Sequence, residues 1–215
     1  FFSNSIKSLQ RLSGLKLEFD KPKVNQQLNY SDKSIGINNK TIFRKIYQLD
    51  SGSYLKFDLK KNKIKKKKFW KLKISQKNIS FKTATKKIVK LLDDIILTRV
   101  RSDVKNCLLI SGGLDSNTIA YYAKKNSKID GYSLISSNKY YDESDLIKLS
   151  SKKHNLKTNF VGSSNKDSLK TLKSIVSNSY NILPTTSAMG FALLCKKIKE
   201  DKKRVILTGA GGDEL

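Results

Sequence analysis

The sequence predicts an α/β fold: a parallel sheet with helices on both faces, preceded by a β-rich segment. Three observations lead there. From residue 106 onward, short apolar runs alternate with helix-length segments. A glycine turn, Ser111 to Ser116, lies between one such run and the helix that follows. Near residue 80 the hydrophobic period changes from two residues to the spacing of a helix.

Residues 1 to about 75 read as short strands. "KTIFRKIYQLDSGSYLKFDL" sets Leu55, Phe57 and Leu59 in alternation after the turn Asp50-Ser51-Gly52. "KKNKIKKKKFW" then returns the chain, so its lysines form the tip and polar face of a hairpin; the same run also suits a nucleic-acid patch. Phe69 and Trp70 are expected in the core at a domain junction. Ile88, Leu91, Leu92, Ile95 and Ile96 then recur at helical spacing, with Thr83 or Thr85 as the N-cap. The domain boundary is expected there, dividing residues 1–78 from 79–215.

Beyond it, "NCLLI", "IDGYSLI", "KTNFVG" and "RVILTG" read as strands. "NTIAYYAKK", "DESDLIKLSSKKH", "SLKTLKSIVSNS" and "SAMGFALLCKKIKE" read as helices. This alternation implies a parallel sheet covered on both faces, with ligands at the carboxyl ends of its strands.

Composition limits the alternatives. Lys plus Arg number 44 against 18 for Asp plus Glu, a formal charge of +26, which would attract nucleic acid or anionic membrane if gathered on one face. The lysines are instead dispersed among many Asn, Ile, Ser and Tyr, so the charge reads as compositional and no specific nucleic-acid partner is expected. Two cysteines give neither a disulfide framework nor metal-ligand spacing, which fits a reducing, cytoplasmic setting. Cys107, inside an apolar run, reads as a small buried hydrophobe. No apolar stretch approaches the ~18 residues of a membrane span. The opening Phe1-Phe2-Ser3 and the closing Gly212-Asp213-Glu214-Leu215 read as a fragment cut at both ends.

The glycine turn carries the chemistry. At a strand-to-helix junction, free backbone N–H groups and the positive helix end favour an anion. Gly112 and Gly113 let the backbone approach phosphate closely, and the Ser111 and Ser116 hydroxyls can donate to its oxygens. Asp115 is the odd member, because a carboxylate beside phosphate is repulsive unless a metal ion bridges the two. The turn lacks the lysine of GxxxxGK[ST] and the third glycine of the dinucleotide fingerprint. A tight turn with no ligand is the remaining plain reading, though nothing in a turn requires this set of side chains.

SGGLDS resembles the pyrophosphate loop of the N-type ATP pyrophosphatases, whose fold is of the adenine nucleotide alpha hydrolase type. "RSDV" (101–104), "YDES" (141–144) and "LTGAGGDEL" (207–215) are similar to the ordered landmarks of the glutamine-hydrolysing asparagine synthetase family. "FFSNSIKSL", "TIFRKIYQLDSGSYL" and "KFW" resemble the last strands of that family's N-terminal-nucleophile glutaminase domain. The resemblance thus implies the end of a glutaminase domain over 1–78 and the first part of an ATP pyrophosphatase domain over 79–215.

The family adenylates a carboxylate, usually that of aspartate, and releases pyrophosphate; ammonia from glutamine then attacks the acyl-adenylate. By motif, the resemblance implies ATP and magnesium (Mg2+) as cofactors. Ser111, Gly112, Gly113, Asp115 and Ser116 would cradle pyrophosphate, and Asp115 and Asp213 would be the catalytic, magnesium-binding carboxylates. Ile110 and Leu134 would flank adenine, and Thr208 and Gly209 would lie near the nucleotide. Asp142 and Glu143 fit either a site role or simple helix-dipole carboxylates. The partners implied are small molecules, namely the acceptor carboxylate and glutamine or ammonia, and a homodimer is compatible.

The chain departs from the family at Ala210, where a glutamate usually stands and is expected to assist the ammonia step. It also has Asn181-Ile182-Leu183 before Pro184 in place of an acidic neighbour. Two other readings stay open: a tRNA-modifying ATP pyrophosphatase, and a degenerate homologue that binds without catalysing. His154, among lysines near a helix end, reads as a polar cap or a surface residue rather than a catalytic one.

Overall fold

In a computed structural model, the structure describes residues 1–30, 38–76, 78–136, 138–162, 165–183, 185 and 187–212. The chain divides into two compact units, Phe1–Lys77 with Lys173–Ala188, and Asn78–Leu172 with Met189–Leu215.

In the first unit the expectation of short strands throughout is corrected. Helix α1 (Ile6–Ser13) starts at Ser5, whose hydroxyl accepts the Ser8 N–H, and stops at Gly14, which turns with φ +65°. Helix α2 (Lys21–Tyr30) follows Asp20, whose Oδ1 accepts the Lys23 N–H. Ile42, Phe43 and Ile46 form the buried core, packed by Ile6 and Leu9 of α1 and Val24 of α2.

The expected hairpin is present: β1 (Ser53–Asp58) pairs antiparallel with β2 (Lys63–Lys68), from Ser53 opposite Lys68 to Asp58 opposite Lys63. All six residues of β2, five of them lysines, are exposed. Leu59 falls just past β1 and is 84% exposed, so the alternation stops at Phe57. Phe69 and Trp70 are not core residues; they are 68% and 57% exposed. A two-stranded ribbon has too little sheet to bury aromatics unless another layer covers it.

In the second unit α3 (Phe81–Val100) begins earlier than expected. Its N-cap is Ser80, whose hydroxyl accepts the Thr83 N–H at 3.3 Å, so neither Thr83 nor Thr85 is the cap. Ile96 and Val100 are buried and Leu92 packs against them, while Ile88, Leu91 and Ile95 are exposed.

The sheet is as predicted, with four parallel strands in the order β5-β4-β3-β6: β3 (Asn106–Leu109), β4 (Asp130–Ile135), β5 (Thr158–Gly162) and β6 (Val205–Leu207). Along β3 and its extension, alternate side chains serve opposite faces. Leu108 and Ile110 pack with α3, α4 (Leu114–Asn126) and α5 (Ser144–Lys153). Cys107 and Leu109 pack with Tyr132, Leu194 and Ile198. The last two lie on α7 (Ser187–Glu200), which follows α6 (Asn165–Ser179). Both faces are therefore apolar, which is why the strands read as short apolar runs.

From β3 the chain winds outward through β4 to β5, then returns to place β6 on the other side of β3. The chain leaves β3 towards β4 and later adds β6 on the opposite side of β3, so the strand order reverses at β3, and a crevice opens at its carboxyl end. Among the described residues no helix is long and apolar enough to cross a membrane.

Candidate functional site

The crevice is a cleft of about 590 Å³, within the ~300–1,000 Å³ typical of ligand pockets. Several separate stretches of sequence reach it, three of them carrying residues expected from the sequence. The turn after β3 supplies Ile110, Ser111, Gly113, Asp115 and Ser116; β4 supplies Leu134; the segment after β6 supplies Thr208, Gly209 and Ala210. Ile110 is fixed by its N–H, which donates to the Tyr132 carbonyl at 3.0 Å, with its side chain in the core. Leu134 packs against α7, where a Cβ on Gly190 would come within 2.5 Å of its Cδ2.

The turn is built by its own hydroxyls. Ser116, 8% exposed, points back so that its Oγ accepts the Ser111 N–H at 3.1 Å and lies 2.9 Å from the Ser111 Oγ. Its single proton has the Ser111 and Gly113 carbonyls, at 3.2 and 3.1 Å, among its acceptors. The Ser111 Oγ in turn accepts the Gly113 N–H at 3.2 Å. Both hydroxyls are thus engaged within the turn.

Gly113 is the N-cap residue of α4 and has no side chain, so the cap position itself offers no side-chain acceptor to the first-turn amides of the helix. Gly112 is turned towards α5: its N–H donates to Glu143 Oε2 at 3.2 Å, and a Cβ there would lie 3.0 Å from the Leu146 Cβ.

The structure separates the two carboxylates that sequence left equivalent. Asp142 stays local, its Oδ1 accepting the Ser144 N–H at 3.2 Å and its Oδ2 the Ser144 hydroxyl at 2.9 Å, at the start of α5. Glu143 lines the cleft and holds the Gly112 amide. An anion that used the Gly112 amide would have to displace this carboxylate. Glu143→Gln keeps an acceptor there and removes the charge, so inorganic pyrophosphate should bind the full-length protein several-fold more tightly by equilibrium titration. Weaker binding in the variant would contradict competition by Glu143.

Asp115 is half-buried in the first turn of α4, backed by the segment after β6. A Cβ on Gly209 would lie 2.9 Å from the Asp115 Cβ and 3.1 Å from the Ser116 N; one on Gly212 would lie 2.6 Å from Asp115 Oδ2. The two glycines let this backbone run against the carboxylate. Asp213, the other expected metal carboxylate, lies outside the described residues. The Ala210 N–H donates to Thr208 Oγ1 at 3.2 Å, and the Ala210 side chain is exposed on the cleft.

Other titratable groups nearby are set by packing. Burial pushes the Cys107 thiol up to about 11, so it stays protonated at neutral pH. Tyr132, which also lines the cleft, is held in its neutral form by burial and by donating to Asp201 Oδ2 at 2.7 Å. His154 ends α5 as its C-cap residue, as expected of a polar cap. Its ring, however, reaches the turn: Nε2 lies 3.1 Å from Asn117 Oδ1. The sequence reading missed Asn117 altogether, because an amide one turn into a helix carries no motif of its own.

Residues 87–215 match the asparagine synthase family. A Methanocaldococcus jannaschii protein bearing the provisional name asparagine synthetase (glutamine-hydrolyzing) 2 is 33% identical over 112 residues, 51% of this chain and 22% of that protein. The chain thus spans under a quarter of that curated relative. Among solved structures, the chain is similar to the NH3-dependent NAD synthetase of Campylobacter jejuni, with a TM-score of 0.40, 22% identity, and coverage of 60% of this chain and 58% of the other. It is also similar to the NMN synthetase of Francisella tularensis, with a TM-score of 0.35, 19% identity, and coverage of 60% and 54%.

Proposed function

The chain belongs to the asparagine synthase family, and from that premise we propose that it is part of an ATP-dependent amidotransferase making asparagine from aspartate, glutamine and ATP. One observation carries the reading: the SGGLDS turn, Leu134 and Thr208 to Ala210, far apart in sequence, line a single cleft at the carboxyl ends of parallel strands. The β-carboxylate oxygen of aspartate attacks the α-phosphorus of ATP, and the bond to pyrophosphate breaks. Ammonia nitrogen then attacks the acyl carbon of the adenylate and AMP leaves.

Within that scheme the turn from Ser111 to Ser116 holds the departing pyrophosphate by backbone N–H groups and the amino end of α4. Leu134 and the backbone of Ile110 flank the adenine, with Thr208 and Gly209 closing the nucleotide end. Magnesium, when bound, neutralises charge on the phosphate oxygens. The donor chemistry fits it: Asp115 brings a carboxylate to the cleft, and magnesium commonly takes one or two carboxylates plus phosphate oxygens. Asp115 would be one such carboxylate, and Asp213 is proposed as the second. Residues 1–78 are proposed as the end of a glutaminase domain, on the resemblance of their segments to that domain's last strands.

Ala210 supplies the test. In the full-length protein, aspartate-dependent pyrophosphate release and asparagine formation are measured separately, for the natural sequence and for Ala210→Glu. Adenylation is expected in both forms, because Gly209 and Asp115 still shape the nucleotide end. The introduced carboxylate, on an exposed cleft position, should raise asparagine formed per pyrophosphate released by accepting a proton from the attacking amine. Stoichiometric synthesis by the natural protein with no gain in the variant would contradict this role for position 210. Absence of aspartate-dependent release in both forms would remove aspartate as the acceptor.

A further inference from the structure

The chain's single histidine is tied to the pyrophosphate turn through one amide. Asn117 Nδ2 donates to the Gly113 carbonyl at 2.8 Å and to the Ser111 carbonyl at 3.2 Å. With both donors spent on carbonyls, Asn117 Oδ1 faces His154, 37 residues away in sequence, and must accept from it. The orientation of the amide and the proton on His154 Nε2 are therefore fixed by the same two carbonyls. His154 is held in turn by the end of α5, where its backbone N–H donates to the Ser150 carbonyl at 3.0 Å.

We propose that Asn117 and His154 are a positioning pair that sets the polarity of the turn for polyphosphate. In a trans peptide the C=O and the next N–H point in opposite directions. Drawing the Ser111 and Gly113 carbonyls onto Asn117 therefore directs the Gly112 and Leu114 N–H groups away from it. The Gly112 N–H does point elsewhere, to Glu143, a cleft-lining residue. The Ser116 hydroxyl has the same two carbonyls among its acceptors and the Asn117 N–H donates to the Gly113 carbonyl, so without the pair the two peptide planes are held less firmly, and a carbonyl oxygen that turns towards a phosphate repels it. His154 touches neither carbonyl; it acts by fixing Asn117.

The proposal rests on reading Ser111 to Ser116 as the pyrophosphate loop, and the experiment separates the two. In the full-length protein, Mg-ATP affinity is measured by equilibrium binding, KM for ATP and kcat by pyrophosphate release, and folding by thermal melting. The variants are Asn117→Ala, His154→Ala, His154→Gln and, as a reference for the loop, Asp115→Asn. Asn117→Ala should weaken Mg-ATP binding about tenfold and His154→Ala about fivefold, the scale of two hydrogen bonds and of one. Both should act on KM for ATP more than on kcat. His154→Gln should recover most of the loss, because its amide N–H can still donate to Asn117 Oδ1.

A lowered melting temperature with unchanged Mg-ATP affinity in the folded protein overturns the pair, as does failure of His154→Gln to restore affinity. Normal affinity in Asn117→Ala and His154→Ala while Asp115→Asn is impaired overturns the pair and leaves the loop standing. Normal affinity and turnover in Asp115→Asn removes the loop reading, and the pair falls with it.

Discussion

Asp115→Asn is expected to reduce ATP-dependent pyrophosphate release by ~10²-fold or more, the scale of losing a charge partner to the transition state. The change preserves shape almost completely. The side chain keeps its volume and its place against Gly209 and Gly212, so the fold around it has no reason to move. What disappears is the negative charge through which a magnesium ion would be shared with phosphate oxygens. Single-turnover pyrophosphate release, compared with thermal melting of the same preparation, distinguishes this from unfolding. Release within threefold of the natural protein would remove Asp115 from the site.

Gly209→Val should cost as much by a different route. A Cβ at 209 would stand 2.9 Å from the Asp115 Cβ, 3.1 Å from the Ser116 N and 3.2 Å from the Asp115 carbonyl carbon. Two of those three are backbone atoms, so relief requires the start of α4 or the segment after β6 to shift as a piece. A displacement near 1 Å in a phosphate-transfer site costs ~10²-fold in rate, while overpacking of this kind destabilises by about 1–3 kcal/mol. The expected signature is a protein that still melts cooperatively but releases pyrophosphate ~10²-fold more slowly. Gly162→Ala is the control, because nothing lies within 4 Å of a Cβ there. Equal activity in Gly209→Val and the natural sequence would mean that the two loops are not packed as described.

How far the sequence foretold this arrangement depended on where each determinant lay. The sheet was legible because β3 and β4 are buried on both sides, and such strands must be short apolar runs. The SGGLDS turn was legible because its determinants are contiguous. Helix α1 carries its signals in Ser5 and Gly14, a short pair of caps that the strand alternation farther along outweighs. Helix α2 gave no apolar stripe to read, because its buried residues are Lys23 and Gln27. Glu143 could not be told from Asp142 by sequence, since both open a helix. Only the contact with Gly112, 31 positions earlier, separates them. The bond from His154 to Asn117 likewise exists only once α4 and α5 pack on the same face of the sheet.

Three amides of the turn already have acceptors: Ser111 gives its N–H to Ser116 Oγ, Gly112 to Glu143, and Gly113 to Ser111 Oγ. An arriving anion that uses them therefore trades one set of hydrogen bonds for another, and the number made is nearly constant. Little enthalpy is released in such an exchange, so the hydrogen bonds themselves do not favour one oxyanion over another. The driving force left is charge, which grows with the valence of the ligand and with any cation it carries. On the proposed reading, a turn constructed this way would act as a valence filter. A singly charged ion would gain less on entering it than a polyphosphate with its metal, for which Glu143 and both hydroxyls would have to give way together. Occupancy would then follow the charge state of a nucleotide rather than the abundance of small anions around it.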